Sequence, residues 1–355
     1  MKIVFLTRRF WPEIGGVEKH TLEVGKRLVA RGHELIVVTE TPKNQASSNG
    51  NQSGVSSARQ TGKILGIKIE RIEAGIENWF KKFRVWKQLW GKKDIFKKAD
   101  IVHCHDVLFW YLPFRLIYPH KPVYVTFHGY EGNKIPGDKA IFSHKLAEIF
   151  TKGNICIGNF YKKWYGTNAT TVSYGAIEPE KNVSFKMPGK VKKILFAGRL
   201  EDETGIMEYL RALMLLPKRF KYSMDILGDG SLLNEAKNFC KENKINAKFH
   251  GFVKNVDKYT KNADYVFVSR YLGILETLVL KKPVFAVYNN KIKKDYLKMT
   301  PFKDFIFIEK NAEEIAHDLL KGISKEKIED GYKWAIKQTW DKMVENYLSL
   351  WGISS

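Results

Sequence analysis

DYVFVSRYLGILETLVLKKPVFAV, residues 264–287, is the stretch that decides the fold. It opens with an apolar strand run at residues 265–268, passes through a tight segment at residues 269–273, and continues as a helix before a second apolar strand begins at Pro283. A strand, a turn, a helix and a strand in this order form one parallel βαβ unit, which places ligands at the turn after the first strand. Glu276 is expected in the first helical turn, where a carboxylate is favoured and can accept hydrogen bonds from ligand hydroxyls. An ordinary helix-start glutamate is an equally good interpretation.

The same stretch resembles the donor-site segment of the retaining GT-B glycosyltransferases related to glycogen synthase and sucrose-phosphate synthase, glycosyltransferase family 4. In that family a serine ends the strand, and two glutamates separated by seven residues precede a Pro-Val strand. Ser269, Glu276 and Pro283 fit the pattern, so the resemblance implies that Glu276 binds the nucleotide ribose. The first glutamate, which reaches the transferred sugar in the family, would fall at Val268, and the loop after Ser269 is several residues shorter. The remaining donor contacts expected in this segment are Tyr271, Leu272 and Gly273.

Length and composition predict two domains, because 355 residues with 44% hydrophobic content can bury two cores. The resemblance covers nearly the whole chain and predicts the GT-B fold, in which two doubly wound Rossmann-like α/β domains face an interdomain cleft. We expect an acceptor-side domain at residues 1–178 and a donor-binding domain at residues 190–334. A final helix at residues 335–355 is expected to pack back on the first domain. The polar segment at residues 42–62 has almost nothing to bury and is predicted to be a mobile loop.

The cysteine spacing and the lengths of the apolar runs indicate in which cellular compartment the protein is expected. Three widely spaced cysteines, Cys104, Cys156 and Cys240, argue against a disulfide framework or a zinc site and for a reducing compartment. The N-terminal apolar run is too short for a signal peptide, and no segment approaches 18 apolar residues. We therefore expect a soluble or peripheral cytoplasmic protein.

A formal net charge of +22 suits nucleic acid, an anionic membrane or a phosphorylated substrate as a partner. Residues 76–98 favour the membrane, because aromatic residues share one side of the predicted amphipathic helix and lysines flank them. A core-facing helix with a basic, solvated back is the alternative. Nucleic acid is less favoured, because no helix-turn-helix, zinc-finger or RNA-binding signature accompanies the charge. The expected contacts with the inner face of the membrane are Trp79, Phe80, Lys81, Lys82, Phe83, Arg84, Trp86, Lys87 and Trp90.

The N-terminal segment offers an anion-binding turn. A strand at residues 2–7 leads to Gly15 and Gly16, which open a helix that runs to about Ala30. A glycine pair at a helix start presents backbone N–H groups to an anion, although alone it could be a plain turn. This segment resembles the start of the same family, in which the glycine loop lies under the donor diphosphate and next to the acceptor. His20, one turn into the helix, could face the acceptor or the solvent.

Two further strands of this half are expected to end in polar groups. Residues 100–106 contain His103 and His105, but no third ligand follows at a predictable spacing, so we expect no metal site. Residues 121–130 form a strand that ends at His128, and the family's corresponding histidine hydrogen-bonds the donor sugar; an ordinary turn histidine is the alternative. On the acceptor side of the cleft we expect His20, Asp106 and Tyr130.

In the second half, a strand at residues 193–197 runs into Gly198 and Arg199. A guanidinium at a strand end presents a planar fork to phosphate oxygens, although a surface arginine is the alternative. In the family this arginine and a lysine five residues later hold the diphosphate; here Thr204 takes the place of the lysine. Relatives cradle the nucleobase with backbone groups after a later strand. The further donor contacts expected in this half are Gly198, Thr204, Gly228, Gly230, Phe252 and Val253.

The resemblance implies sugar transfer with retention, with His128, Arg199 and Glu276 as the catalytic residues. No DxD motif appears, so the leaving diphosphate must be neutralised by Arg199, helix N-termini and glycine-loop amides. We expect no cofactor, a UDP- or GDP-type nucleotide-diphosphate sugar as co-substrate, and a lipid-linked or cell-envelope glycan as acceptor. The alternative is a catalytically weak or inactive GT-B scaffold, motivated by Val268 and Thr204.

Overall fold

The computed structural model describes residues 1–13, 15–42, 61–130, 135–181 and 183–353. The predicted mobile loop falls mostly on residues 43–60, which lie outside the described residues, and its last two residues belong to a strand. Two parallel-stranded sheets with helices on their faces make up the rest, which confirms the predicted fold class of two α/β domains.

The first sheet follows from apolar runs that are buried along their whole length, as parallel strands covered on both faces require. Its strand order is β3-β4-β2-β1-β5-β6-β7-β8, and all neighbours are parallel except the β3–β4 pair. The strands are β1 (Lys2–Thr7), β2 (Glu34–Glu40), β3 (Thr61–Ile64), β4 (Ile67–Ile72), β5 (Ile101–His105), β6 (Val123–Phe127), β7 (Asn154–Ile157) and β8 (Thr171–Ser173). The helices of this half are α1 (Gly16–Ala30), α2 (Lys81–Trp90), α3 (Lys93–Lys98), α4 (Leu108–Ile117), α5 (Asp138–Phe150) and α6 (Phe160–Tyr165).

The second sheet has six parallel strands in the order β11-β10-β9-β12-β13-β14. Its strands are β9 (Lys192–Ala197), β10 (Tyr222–Leu227), β11 (Ala247–Gly251), β12 (Tyr265–Phe267), β13 (Val284–Val287) and β14 (Phe307–Glu309). The helices are α7 (Ile206–Met214), α8 (Leu233–Glu242), α9 (Val256–Asn262), α10 (Tyr271–Leu278), α11 (Lys291–Lys298), α12 (Ala312–Lys321), α13 (Lys325–Ala335) and α14 (Trp340–Trp351). Two 3-10 turns occupy Asp202–Thr204 and Lys303–Phe305.

The predicted βαβ unit is present as β12, α10 and β13, with Val266 paired to Val284 in parallel register. The helix, however, begins at Tyr271, directly after the N-cap residue Arg270. Glu276 therefore lies in the second helical turn, and its expected place in the first turn is wrong. The cause is the short connection, because the segment interpreted as a loop already forms the first turn of α10.

Helix α14 crosses from the second sheet to the first, where it contacts α1 and β8. A parallel bridge between Ile177 and Thr339 joins the chain at this crossing. Trp340, Tyr347 and Trp351 of α14 are buried against the first domain. The C-terminal helix therefore closes one side of the first domain and supplies side chains beneath the cleft.

Candidate active site at the interdomain cleft

Many of the predicted site residues lie in the turns where the strand order of each sheet reverses. In the first sheet the reversal lies between β1 and β5, and in the second it lies between β9 and β12. Open parallel sheets bind ligands outside the carboxyl ends of the strands at such switch points. The turns that follow these four strands are therefore the expected ligand-binding turns of the protein.

The glycine turn of the first domain and Glu276 of the second lie close together. Lys19, in the first turn of α1, contacts Glu276 with 2.6 Å between Nζ and Oε1. Gly15 is the extended N-cap of α1, and a Cβ atom built there would lie 2.3 Å from the Glu18 carboxylate. Burial raises the pKa of Glu276, and Lys19 partly opposes that rise. The carboxylate expected to bind ribose thus lies across the cleft from the start of α1.

Four histidines form one cluster below the cleft: His20, His103, His105 and His128. Nδ1 of His105 lies 2.9 Å from Nε2 of His128, and the rings of His20 and His128 meet edge to face at 4.6 Å. The sequence suggested His103 and His105 as a pair; their partners from α1 and β6 are apparent only in three dimensions. Among the residues described, no group of three or more His, Cys, Asp or Glu side chains is arranged to hold a metal ion.

A hydrogen-bond chain from α14 fixes how His20 is protonated. The indole Nε1 of Trp351 can only donate, and it donates to Nδ1 of His103, so the proton of neutral His103 is on Nε2. That nitrogen lies 2.7 Å from Oγ1 of Thr126, which must accept. Thr126 then donates to the Tyr347 hydroxyl at 2.9 Å, and Tyr347 donates to Nε2 of His20 at 2.8 Å.

The consequence is that His20 carries its proton on Nδ1 and can offer it as a donor. Burial lowers its pKa to about 3, and it also lowers the pKa values of His103, His105 and His128 well below the ordinary range. All four imidazoles are therefore neutral near pH 7. They can position hydroxyl groups by hydrogen bonding, but they carry no charge to hold a diphosphate.

The predicted acceptor-side residues Asp106 and Tyr130 flank His128. Asp106 follows β5 with a positive φ of 60°, and its carboxylate accepts a hydrogen bond from the backbone N–H of His128 at 3.0 Å. Tyr130 is buried, and its hydroxyl has no hydrogen-bond partner in the described structure. Its ring lies 5.0 Å below the guanidinium of Arg270 from the second domain, so Tyr130 forms part of the contact between the two halves.

Arg199 shares its partner, Glu203, with Arg270, a second arginine that was not among the predicted site residues. Its guanidinium is 2.6 Å from Oε1 of Glu203, and that of Arg270 is 3.5 Å from the same oxygen. Lys293 is buried, and its Nζ donates to the backbone carbonyl of Glu203; burial, and secondly Arg270, lower its pKa to about 7. The position of Arg270 directly after the strand-ending Ser269 was the available sequence signal.

Thr204, Gly228 and Gly230 shape the turn that carries Arg199. The Thr204 hydroxyl lies 2.7 Å from the backbone carbonyl oxygens of both Arg199 and Glu201, so it is buried in the turn rather than directed at a ligand. A Cβ atom at Gly228, where φ is +133°, would lie 1.8 Å from the Gly198 oxygen, and one at Gly230 would lie 2.4 Å from the Leu200 oxygen. The structure therefore gives these predicted donor contacts a packing role, because glycine allows two backbone turns to touch.

The donor contacts predicted in the segment after β12 are likewise internal. Tyr271 is buried, and its ring stacks on Tyr296 at 3.8 Å, so its predicted role as a ligand contact does not match its position. Gly273 packs on Val268, because a Cβ there would lie 2.5 Å from the valine Cγ2. Leu272 is half-buried against the core. Val268 thus occupies an apolar contact where the family has a sugar-binding glutamate.

The turn after β11 differs, because it presents an accessible ring. Phe252 is 60% exposed, whereas the neighbouring Val253 packs partly against the core. Of the two residues predicted to lie beside the nucleobase, Phe252 is therefore the one whose side chain is free to stack on a planar ligand.

The basic aromatic segment forms an exposed surface that is organised differently from the prediction. It contains two helices, α2 and α3, and α2 begins at Lys81 rather than at Ile76. Val85 and Leu89 form its core face. Lys81 is buried and paired with Glu40 at 2.9 Å and Glu77 at 2.6 Å, so it does not belong to the exposed surface as predicted.

Four of the six aromatic side chains in this segment are exposed, whereas Trp86 is half-buried and Phe96 is buried. The alternative of a core-facing helix with a basic back holds in part, because α2 faces the core through Val85 and Leu89. Trp79 is 78% exposed and Phe83 51% exposed, with ring centroids 5.8 Å apart. Trp86 is half-buried, and its Nε1 donates to the Phe109 carbonyl at 2.8 Å. We call the exposed set the aromatic patch: Trp79, Phe80, Phe83 and Trp90, flanked by Lys82 and Lys87. Arg84 is half-buried and holds the preceding loop through the carbonyls of Ala74 and Ile76.

Within the described ranges, every helix is too short or too polar to reach across the hydrocarbon core.

Comparison with known proteins identifies the family. Residues 14–165 match the model described as Glycosyltransferase Family 4, and residues 177–338 match Glycosyl transferases group 1. An uncharacterized glycosyltransferase of Methanocaldococcus jannaschii is 24% identical over 303 residues, which cover 76% of this chain and 74% of that protein.

Two solved structures share the fold. HepE of Anabaena, crystallised in complex with UDP and glucose, has a TM-score of 0.71 at 14% identity, and the match covers 98% of this chain and 99% of that one. The apo form of the lipopolysaccharide outer core galactosyltransferase WaaB has a TM-score of 0.64 at 15% identity, with 99% of each chain covered. The family models, which together extend from residue 14 to residue 338, show that this chain belongs to the GT-B glycosyltransferases of family 4, glycosyl transferases group 1.

Proposed function

We propose that the protein transfers a sugar, with retention and without a metal ion, from a nucleotide-diphosphate sugar to a lipid-linked or cell-envelope glycan at the inner face of the membrane. The observation that carries this proposal is the contact between Lys19 and Glu276 across the cleft. It brings the glycine turn of one domain to the expected ribose-binding carboxylate of the other. Both are needed to enclose one nucleotide sugar.

The donor would lie against the second domain. Its ribose hydroxyls would donate to the Glu276 carboxylate, which must first release Lys19. Its diphosphate would accept from Arg199 and from the backbone amides at Gly15 and Gly16, where a helix start favours an anion. Its base would lie beside Phe252, the exposed ring of the turn after β11. HepE, which shares the fold, was crystallised with UDP and glucose.

The acceptor hydroxyl would attack the anomeric carbon from the face that the diphosphate leaves. In that geometry the departing phosphate oxygen takes the acceptor's proton, so a pair of protein carboxylates is not required. His128 would donate a hydrogen bond to a sugar hydroxyl near the reacting carbon, with His105 as the donor to its Nε2. Domain closure would exclude water and align the reacting atoms.

A screen of UDP-, GDP- and ADP-sugars by thermal shift tests donor binding, because a ligand that binds only the native state raises its melting temperature. We expect one nucleotide class to raise it and Arg199→Ala to abolish the rise. Turnover in EDTA should match turnover with added Mg²⁺. The anomeric configuration of the product, read by NMR, tests retention, and failure to bind any nucleotide diphosphate would remove the proposal.

The aromatic patch supports the membrane location. Exposed tryptophan and phenylalanine rings beside lysines can enter the headgroup boundary while the ammonium groups meet anionic lipids. The relative WaaB acts on the lipopolysaccharide outer core, as its name states, which favours an envelope acceptor. An acceptor anchored in a bilayer would then be presented to the cleft of a surface-bound enzyme.

Co-sedimentation with vesicles tests this location. We expect binding to vesicles that contain anionic lipid, much weaker binding to neutral vesicles, and loss of binding in the double variant Trp79→Ser, Phe83→Ser. The matched control replaces Phe142 and Ile149, which are 62% and 73% exposed on α5. Equal loss in both double variants would mean that the aromatic patch has no specific role.

A catalytically weak or inactive scaffold is the second candidate, because Val268 and Thr204 are both buried and engaged in packing or turn capping. Slow hydrolysis of a donor by the wild type, but not by Arg199→Ala, would argue against it. Nucleotide binding without transfer or hydrolysis would favour it.

A further inference from the structure

Two guanidinium groups from different turns converge on a single carboxylate oxygen in the cleft. Arg199 follows β9 and Arg270 follows β12, the two strands between which the order of the second sheet reverses. Their NH2 atoms lie 2.6 Å and 3.5 Å from Oε1 of Glu203. Arginine pairs of this kind suit an anion with several oxygens, because each planar fork can donate two parallel hydrogen bonds.

The surroundings hold Arg270 in place. Its guanidinium lies over the ring of Tyr130 at 5.0 Å and near that of Tyr296 at 6.0 Å. The Tyr130 ring fixes the plane of the cation, and the Tyr296 side chain also hydrogen-bonds the guanidinium. The remaining N–H groups face Glu203, the partner that an anion would replace. Its side chain is 32% exposed, so a ligand can reach it. Tyr130, which comes from the opposite domain, also carries the buried hydroxyl without a partner.

The backbone that carries the Glu203 carboxylate is held by a buried lysine. Glu203 belongs to the short turn Asp202–Thr204, and buried Lys293 donates to its backbone carbonyl. Its side chain is 15% exposed and is the internal anion that both guanidiniums contact. A ligand anion that takes the arginines must therefore displace this carboxylate.

We propose that Arg270 is the second cation of the diphosphate site, taking over the charge that Thr204 lacks, and that Glu203 occupies the two guanidiniums until the donor arrives. This inference rests on the proposed function for the identity of the ligand. A diphosphate diester carries two negative charges, which Arg199 and Arg270 match. In the absence of ligand, Glu203 neutralises one of the two cations and competes with the incoming diphosphate.

Titration calorimetry with inorganic pyrophosphate tests the site directly, because this probe requires neither a particular base nor a particular sugar. Arg270→Gln should weaken pyrophosphate binding by roughly ten- to a hundredfold, the effect of losing hydrogen bonds to a charged group. Glu203→Gln should bind pyrophosphate more tightly than the wild type, because the competing charge is gone. Arg211→Gln, which removes the exposed ion pair between Arg211 and Glu208 on α7, is the matched control and should leave binding unchanged.

Binding of a nucleoside diphosphate, UDP or GDP, distinguishes failure of the second-cation assignment from failure of the proposed function. If the wild type binds it and Arg270→Gln binds it equally well, the second-cation assignment is wrong while the proposed function stands. If Glu203→Gln binds pyrophosphate more weakly, the carboxylate is not a competitor and that part fails. If neither pyrophosphate nor a nucleoside diphosphate binds the wild type, the proposed function itself is lost. Thermal melting of each variant verifies that it is folded.

Discussion

Lowering the pH from 8 to 5 should destabilise the protein through its buried histidine cluster. Burial lowers the pKa of His20 to about 3, whereas an unfolded histidine has a pKa of about 6.5. Between these values the unfolded chain binds a proton that the folded chain does not, so stability falls as the pH falls below 6.5. At pH 5 the difference of about 1.5 pH units corresponds to about 2 kcal/mol for His20 alone.

The neighbours of His20 act in the same direction. The pKa values of His103, His105 and His128 are also well below the ordinary range because of burial, so each further lowers the stability as the pH falls below 6.5. The histidine cluster should therefore set the acid limit of the first domain.

Urea unfolding followed by circular dichroism at pH 8, 6 and 5 measures this effect. Glu276 and Glu309 have raised pKa values and oppose the trend, so the comparison of interest is between variants. His20→Gln should lose about 2 kcal/mol less than the wild type between pH 8 and pH 5. His317→Gln, at an exposed position of α12, is the control and should behave as the wild type. Equal pH dependence in all three proteins, or an NMR titration of His20 near pH 6.5, would refute the reasoning.

Three further predictions concern single side chains. Gly228→Ala should lower the free energy of unfolding by about 3 kcal/mol, because the new Cβ meets the Gly198 oxygen and φ is positive there. In the same urea titration the control Gly137→Ala, whose Cβ meets open space, should change it by less than about 1 kcal/mol. Tyr347→Phe should lose about 1–3 kcal/mol, because the buried Thr126 hydroxyl loses its acceptor, and ¹⁵N NMR should show that His20 no longer holds its proton on Nδ1 alone; an unchanged spectrum would contradict the hydrogen-bond chain. Glu276→Gln should weaken binding of a nucleoside diphosphate about tenfold in calorimetry and leave pyrophosphate binding intact, because its proposed partner is the ribose; equal losses for both ligands would contradict that role.

The sequence predicted those features that depend on local pattern. The bounds of β1 agree with the strand predicted at residues 2–7, because a continuous apolar run between polar residues leaves little choice. The βαβ unit around α10 was predicted from the same alternation of strand, turn and helix. The start of α10 at Tyr271 was not predicted. The stacking of Tyr271 on Tyr296 packs this segment as helix, and the local sequence gives no sign of that distant partner.

The errors at individual site residues come from partners that are distant in sequence. Lys81 looked like an exposed lysine among lysines, but Glu40, on β2, lies 41 positions earlier and draws it into a buried pair. The hydrogen-bond chain to His20 joins residues 327 positions apart. The periodicity of residues 76–98 or of helix α1 cannot show which distant side chains will become partners. The prediction that ligands bind at the strand ends needed only the order of strands and helices.

The two departures from the family pattern in the donor domain are one structural change rather than two. Val268 follows β12, and Thr204 lies in the turn after the neighbouring strand β9. The Ser269 hydroxyl donates to the Thr204 carbonyl at 3.2 Å, so the turns after β12 and β9 are in contact. Shortening the turn after β12 removes the sugar-binding glutamate and at the same time sets Arg270 at the N-cap of α10, within reach of Glu203. A lysine at Thr204 would then be the third cation around one carboxylate, with like charges in close contact. On the proposed role of Arg270, positive charge at the cleft is moved from one turn to its neighbour, and a donor site would then be compatible with a sequence that lacks both family residues.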